Sequence, residues 1–230
     1  PHEVGFGPQT VKCPAAATSP ALAGSCTGYA QGGSRVSTYA GTSNPNGTGI
    51  VVVNGVPTPV PMSRPMTVQV ADHLTRFQGF SGSDIVFVFG GNNDTLREFA
   101  AVGQGQAPAT AIANVQQAAN DLVTLVKDQI LANGASRVAV MNLPDGAGSP
   151  AFSAFPADSK ALLSQLSAEF NTTMLAGLQG TGAQIIDTRA VLAGIQANPT
   201  AYGITNTTVT ACDPAKIQVL TQGRIADGSS

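Results

Sequence analysis

Charge is what this sequence has least of. Only 10% of the 230 residues are Asp, Glu, Lys or Arg, against roughly 25% in an ordinary soluble domain. Ala, Gly, Ser, Thr, Asn and Gln take their place, giving a polar but nearly uncharged surface that suits an exported protein. The net charge of -2 offers no electrostatic footprint for nucleic acid or for an anionic membrane. No run approaches the ~20 apolar residues of a transmembrane helix. The start, Pro1-His2-Glu3-Val4-Gly5-Phe6, has neither the basic opening nor the apolar core of a signal peptide, which fits a mature or trimmed form. Histidine is scarce too, with only His2 and His73. Of the three cysteines, Cys13 and Cys26 bracket a short segment able to close as a disulfide loop, whereas Cys212 has no evident partner in the sequence. Three reduced, buried thiols are the alternative.

What is present is enough apolar residue, 43%, for one domain with a sizeable core. Residues 1–64 are loop-rich, punctuated by Gly32-Gly33, Asn44-Pro45-Asn46-Gly47 and Pro57, Pro59 and Pro61. One short apolar run, Ile50 to Val53, ends at the turn signal Asn54-Gly55 and reads as a hairpin strand. Residues 65–212 alternate elements. Met66, Val68, Val70, Ala71, Leu74 and Phe77 have helical spacing after Pro65. Ile85 to Phe89 is a continuous apolar run, as expected of a strand covered on both faces. A helix from about Pro108 to Leu131 stops at Asn133-Gly134, and a second strand from Arg137 to Leu143 is halted by Pro144. A helix from Asp158 to Leu178, a strand Gln184 to Asp187 and a helix from Thr188 to Ala197 complete the series. Residues 213–230 read as a C-terminal loop. This order predicts an α/β domain with a parallel sheet and right-handed crossovers, in which ligands sit outside the carboxyl ends of the strands.

Two segments carry chemistry. Gly90-Gly91-Asn92-Asn93-Asp94 follows the first buried strand, and two glycines allow the sharp turn that such a strand end needs. Tyr29-Ala30-Gln31-Gly32-Gly33-Ser34-Arg35 has consecutive glycines whose N–H groups can approach a developing oxyanion. Either segment alone also reads as an ordinary tight turn. His73 lies on a predicted helix and reads as a surface or half-buried structural side chain, while His2 falls in a fraying terminus.

Taken together, in this order and spacing, these segments resemble the SGNH/GDSL serine hydrolases. Tyr29 to Arg35 resembles the family's second conserved block, and Gly91-Asn92-Asn93-Asp94 its third, Gly-x-Asn-Asp. Val140 to Pro144, Asp187 to Ala190 and Asn198 to Ile204 resemble further stretches of its secreted bacterial and autotransporter-like esterases. The resemblance spans Gly28 to Cys212. It implies a three-layer flavodoxin-like sheet with helices on both faces, and a secreted, periplasmic or outer-membrane-associated bacterial ester hydrolase acting on a small-molecule or lipid ester. The Gly33 N–H and the Asn93 amide are then oxyanion-hole donors, and Asp94 shapes the Asn93 turn. No metal or organic cofactor is implied.

The sequence departs from the family in two places. Neither the Gly-Asp-Ser nucleophile block nor the Asp-x-x-His base block occurs in the 230 residues. The family's first strand is interior to its sheet, and leaving its neighbours unpaired costs roughly 1 to 3 kcal/mol per buried backbone group. The expectation is therefore that further segments of the same polypeptide, or a second chain, complete the fold. Two rival expectations stand beside hydrolysis: an inactive binding or scaffold module, and an acyltransferase using the same site. Four Asn-x-Ser/Thr triplets, at Asn46, Asn93, Asn171 and Asn206, matter only in a glycosylating host.

Overall fold

The computed structural model describes residues 27–39, 48–53, 56–61 and 64–209. His2, Cys13, Cys26 and Cys212, and the 213–230 loop with them, lie outside the described residues. The architecture is mixed α/β. A two-stranded antiparallel hairpin precedes a three-stranded parallel sheet with its connecting helices.

The hairpin pairs β1 (Thr48–Val53) with β2 (Val56–Pro61), Val53 opposite Val56. A two-residue connection makes that closing pair a hydrogen-bonded one, and hydrogen-bonded and non-hydrogen-bonded pairs then alternate. Pro57, Pro59 and Pro61, opposite Val52, Ile50 and Thr48, therefore fall at non-hydrogen-bonded positions, where no N–H is owed to β1. That parity is what lets a strand with a proline at every second residue exist.

Helix α1 (Met66–Phe77) starts directly after Pro65. Strand β3 (Val86–Val88) leads into α2 (Asn92–Gly103), which is followed by α3 (Pro108–Thr124). The chain continues from α3 through a π-helical turn, Leu125–Ile130, and a short 3-10 turn, Leu131–Asn133. The wider π turn rotates Leu125, Val126 and Ile130 all into the core, where each is buried. Gly134 ends the run with φ of 100°, and a Cβ there would lie 2.7 Å from the Phe80 carbonyl oxygen. Strand β4 (Val138–Met141), helix α4 (Ala157–Leu178), strand β5 (Gln184–Ile186) and helix α5 (Thr188–Ala197) complete the order. The elements expected from sequence match these to within a few residues, but α2 and β2 are not among them: the Asn92–Gly103 segment reads in sequence only as the turn that opens it, and the prolines of Val56–Pro61 hide a strand.

The sheet order is β3-β4-β5, with Val88, Val140 and Ile185 in one register row. Val88 and Val140 face a core built with Val36, Leu122, Val126, Phe170 and Met174. Gly177 lets α4 approach α3, since a Cβ there would meet the Val123 side chain at 2.7 Å.

One expectation is corrected. The Ile85 to Phe89 run reads as a strand buried on both faces, yet only its even-numbered side faces the core. Ile85, Phe87 and Phe89 are 46%, 51% and 52% exposed. Among the described residues β3 is the three-residue edge strand of a three-stranded sheet whose core, with α3 and α4, contains Val88 but not Ile85, Phe87 or Phe89, and a continuous apolar run cannot by itself distinguish that position from a central one.

Candidate active site

The turn at residues 31–35 and the start of α2 are 59 residues apart in sequence and meet in space. The Asn93 amide Nδ2 donates to the Ser34 carbonyl at 2.8 Å. Next along the helix, the Asp94 carboxylate accepts from the Val36 backbone N–H at 3.1 Å and from Arg35 Nε at 3.0 Å. Gly33 takes the turn with φ of 80°, the left-handed region that glycine enters without strain.

Helix α1 holds the same turn from its other side. Gln69 Nε2 donates to Ser34 Oγ at 3.2 Å and to the Arg64 carbonyl at 2.7 Å, and Gln31 Oε1 accepts from the Arg64 N–H at 2.9 Å. The backbone N–H groups of Met66 and Thr67 donate to the carbonyls of Arg35 and Val36. Gly33 and Asn93, the two residues expected to act as oxyanion donors, thus sit on adjoining pieces of backbone fastened between two helix N-termini.

Glycines 90 and 91 have a packing reason as well as a turning one. A Cβ on Gly90 would fall 2.0 Å from Met66 Sδ, and one on Gly91, at φ of 102°, would fall 2.1 Å from Phe170 Cζ. The site thereby rests against the fully buried Phe170 ring.

Behind the turn lies a charged network of which only Asp94 was expected to take part. Asp94 is 1% exposed. Burial pushes its carboxyl above the usual range, and the Arg35 guanidinium pulls the other way. Arg35 Nη2 is 3.9 Å from Glu98, whose other oxygen accepts from Gln106 at 2.7 Å and from Asn114 at 2.8 Å. Asp94 also lies in the first turn of α2, where the helix dipole favours an anion. These bonds tie the 31–36 turn to α2.

A second polar cluster occupies the ends of β4 and β5. Asn142 Nδ2 donates to Asp187 at 2.8 Å, and Asn142 Oδ1 accepts from the Arg189 N–H at 3.2 Å. Thr188 Oγ1 donates to both the carbonyl and the side-chain oxygen of Asn142. The Asn142 bond, followed by the Ala190 N–H, holds Asp187 below the usual carboxylate range. Asp145 accepts from Ser164 at 2.8 Å and pairs with Arg189 at 3.2 Å. These contacts cap α5 and fix the β4 exit loop.

Asn171 was not singled out by sequence except as a glycosylation triplet. It is buried in α4, where its Oδ1 accepts from the Leu143 N–H at 2.7 Å and its Nδ2 donates to the Leu143 carbonyl at 2.8 Å. In the folded protein that amide has no access to a glycan.

His73 lies on α1 in a structural setting, but deeper than the surface or half-buried position expected of it. It is buried, stacked on Phe80 at 4.3 Å, edge-on to Tyr29 at 5.6 Å, and its Nε2 donates to the Gly79 carbonyl at 3.2 Å. Burial depresses its pKa below 6.5. Tyr29, the first residue of the expected second block, receives a hydrogen bond from Arg76 at 2.9 Å and so joins this aromatic group to the turn.

Among the described residues no group of three or more His, Cys, Asp or Glu is arranged to hold a metal ion, and no helix is long and apolar enough to cross a membrane. In comparisons with known proteins, no family model and no curated protein matches the chain.

Proposed function

We propose that this chain carries the oxyanion-hole portion of a secreted serine ester hydrolase of the SGNH/GDSL type, its three parallel strands belonging to a flavodoxin-like sheet. The observation that carries the reading is the 2.8 Å bond from Asn93 to Ser34. Two motif-like segments singled out from sequence alone, 59 residues apart, converge at the carboxyl end of β3, where α/β sheets bind their ligands. Coincidental tight turns have no reason to meet.

In this mechanism the ester carbonyl oxygen lies against the Gly33 N–H and the Asn93 amide. Negative charge that develops there on attack by a serine is met by dipoles already fixed in place, so little reorganisation accompanies the barrier. Asp94, Arg35 and Gln69 hold the donors. They touch no reacting atom and act through position. The nucleophile and the histidine base belong to blocks that the 230 residues do not contain, and on this reading they come from other segments of the polypeptide or from a partner chain.

The test is to treat the native protein, purified from its source, with a fluorophosphonate probe and map the labelled peptide alongside turnover of p-nitrophenyl esters. Covalent label on a serine outside the 230 residues, with turnover, supports the reading. Absence of both label and turnover overturns it.

A further inference from the structure

The segments that follow the carboxyl ends of β3 and β4 enclose an apolar groove of about 610 Å³. Leu96, Phe99 and Ala100 of α2 form one wall, and Phe152, Phe155 and Leu162 form the other. The three phenylalanine rings pack on one another with centroids 5.3 to 5.9 Å apart, the edge-on or tilted arrangement that aromatic clusters favour. Phe155 nevertheless remains 41% exposed, and the chain has few aromatic residues, 5% in all. Three of them gathered at one opening beside the site call for a function.

Position relative to Asn93 supplies it. On an α-helix, residues three, four and seven apart share a face, so Leu96, Arg97 and Ala100 continue the stripe that begins with Asn93. The run from Asn93 to Ala100 is about 10 Å at 1.5 Å per residue, the length of a medium acyl chain. Its volume also falls within the roughly 300 to 1,000 Å³ of small-molecule sites. The only charged side chain in the lining is Arg97. Arg97 makes no ion pair among the described residues. The occupant is therefore apolar along its length and neutral or anionic at its polar end.

We infer that this groove binds the acyl chain of a medium-chain ester or of its fatty-acid product, with the carboxyl group at the Gly33 and Asn93 end. The identity of the bond cleaved rests on the hydrolase reading above, whereas the chain bound rests on the groove alone. Each methylene that leaves water on entering the groove should tighten binding about fourfold, from ~0.8 kcal/mol per buried CH₂.

The experiment measures binding of dansylated undecanoic acid to the purified protein by fluorescence, in wild type and in Ala100→Trp, with dodecyltrimethylammonium as a cationic competitor. Ala100 is exposed, so the indole fills the groove without disturbing the core, and thermal unfolding of the variant checks this. Expected are saturable binding, a loss of at least tenfold in Ala100→Trp, near-wild-type affinity in Ala100→Ser, and weak competition by the cation. In parallel, kcat/KM on p-nitrophenyl esters should rise from acetate to octanoate in wild type and lose that rise in Ala100→Trp. Saturable binding that Ala100→Trp abolishes, in protein without turnover, would leave the groove standing and remove the hydrolase. Turnover with a flat chain-length profile, and probe binding that is absent or indifferent to Ala100→Trp, would overturn the groove and spare the hydrolase. Equal competition by the cation would overturn the assigned ligand class.

Discussion

Replacing Asn171 by Leu keeps the number and branching of side-chain heavy atoms, at somewhat larger volume, and removes both polar atoms. The wild-type amide satisfies the N–H and the carbonyl of Leu143 at 2.7 and 2.8 Å, in a setting where Asn171 is 6% exposed and Leu143 fully buried. A buried backbone group stripped of its partner costs about 1 to 3 kcal/mol, so the two together predict a loss of about 2 to 5 kcal/mol, somewhat reduced by the favourable burial of the leucine. That is a large share of the ~5 to 15 kcal/mol by which domains are stable. Urea unfolding followed by circular dichroism reads this as a lower midpoint at an unchanged slope. Asn171→Asp is the informative companion: it retains an acceptor for the Leu143 N–H but loses the donor to the carbonyl, and should be more nearly tolerated at acid pH, where the protonated carboxyl can donate. A loss below about 0.5 kcal/mol in Asn171→Leu, the size of an unremarkable surface change, would refute the reasoning that Leu143 depends on these two hydrogen bonds.

Four further outcomes follow from the geometry. Asn93→Ala should lower ester turnover by on the order of 100 to 1000-fold in steady-state assays of the native protein, with Asn93→Asp no better because a carboxylate cannot donate to an oxyanion. Gly91→Ala forces a Cβ to 2.1 Å from the Phe170 ring at a positive φ, and should cost on the order of 3 kcal/mol or prevent folding, read by thermal unfolding. His73 has a folded pKa below 6.5, so the folded state binds fewer protons than the unfolded one. Its contribution is complete above pH 6.5 and is lost as pH falls toward the folded value, and His73→Phe should flatten that part of a stability-against-pH curve. Asp187, held low by Asn142, contributes above the ordinary carboxylate range and loses that contribution on further acidification; Asp94, raised by burial, has the opposite sign. Asp187→Asn should therefore remove part of the acid-limb loss, measured by urea midpoints across pH.

Periodicity and punctuation made most of the scaffold legible. Val138 to Met141 is apolar, β-branched in part and stopped by Pro144, and it forms a strand; Asn133-Gly134 ends a helix because glycine alone fits beside the Phe80 carbonyl. Gly91 and Asn93 stood out because a strand end followed by a tight turn needs small and amide residues. Other features had no local signature. Burial of β3 on one face depends on how many strands and helices surround it. The Arg35, Asp94 and Glu98 network and the Asn171 clamp join residues across 28 to 63 positions, and the Phe99, Phe152 and Phe155 group forms only once α2 and the segment after β4 have converged. A polar residue on an otherwise apolar helix face, as Asn171 is between Phe170 and Met174, is the one cue that could have marked the clamp.

The prolines of β2 have a bearing on how this protein behaves in a crowd. An exposed hairpin edge invites another chain to add itself as the next strand, and proteins commonly repel that approach with lysine. Here lysine and arginine together number 11 in 230 residues. With Pro57, Pro59 and Pro61 at every outward-facing N–H position of β2, an incoming strand would find acceptors without donors along that border. The β2 border thereby resists strand addition by stereochemistry, in a way that neither salt nor pH can screen away.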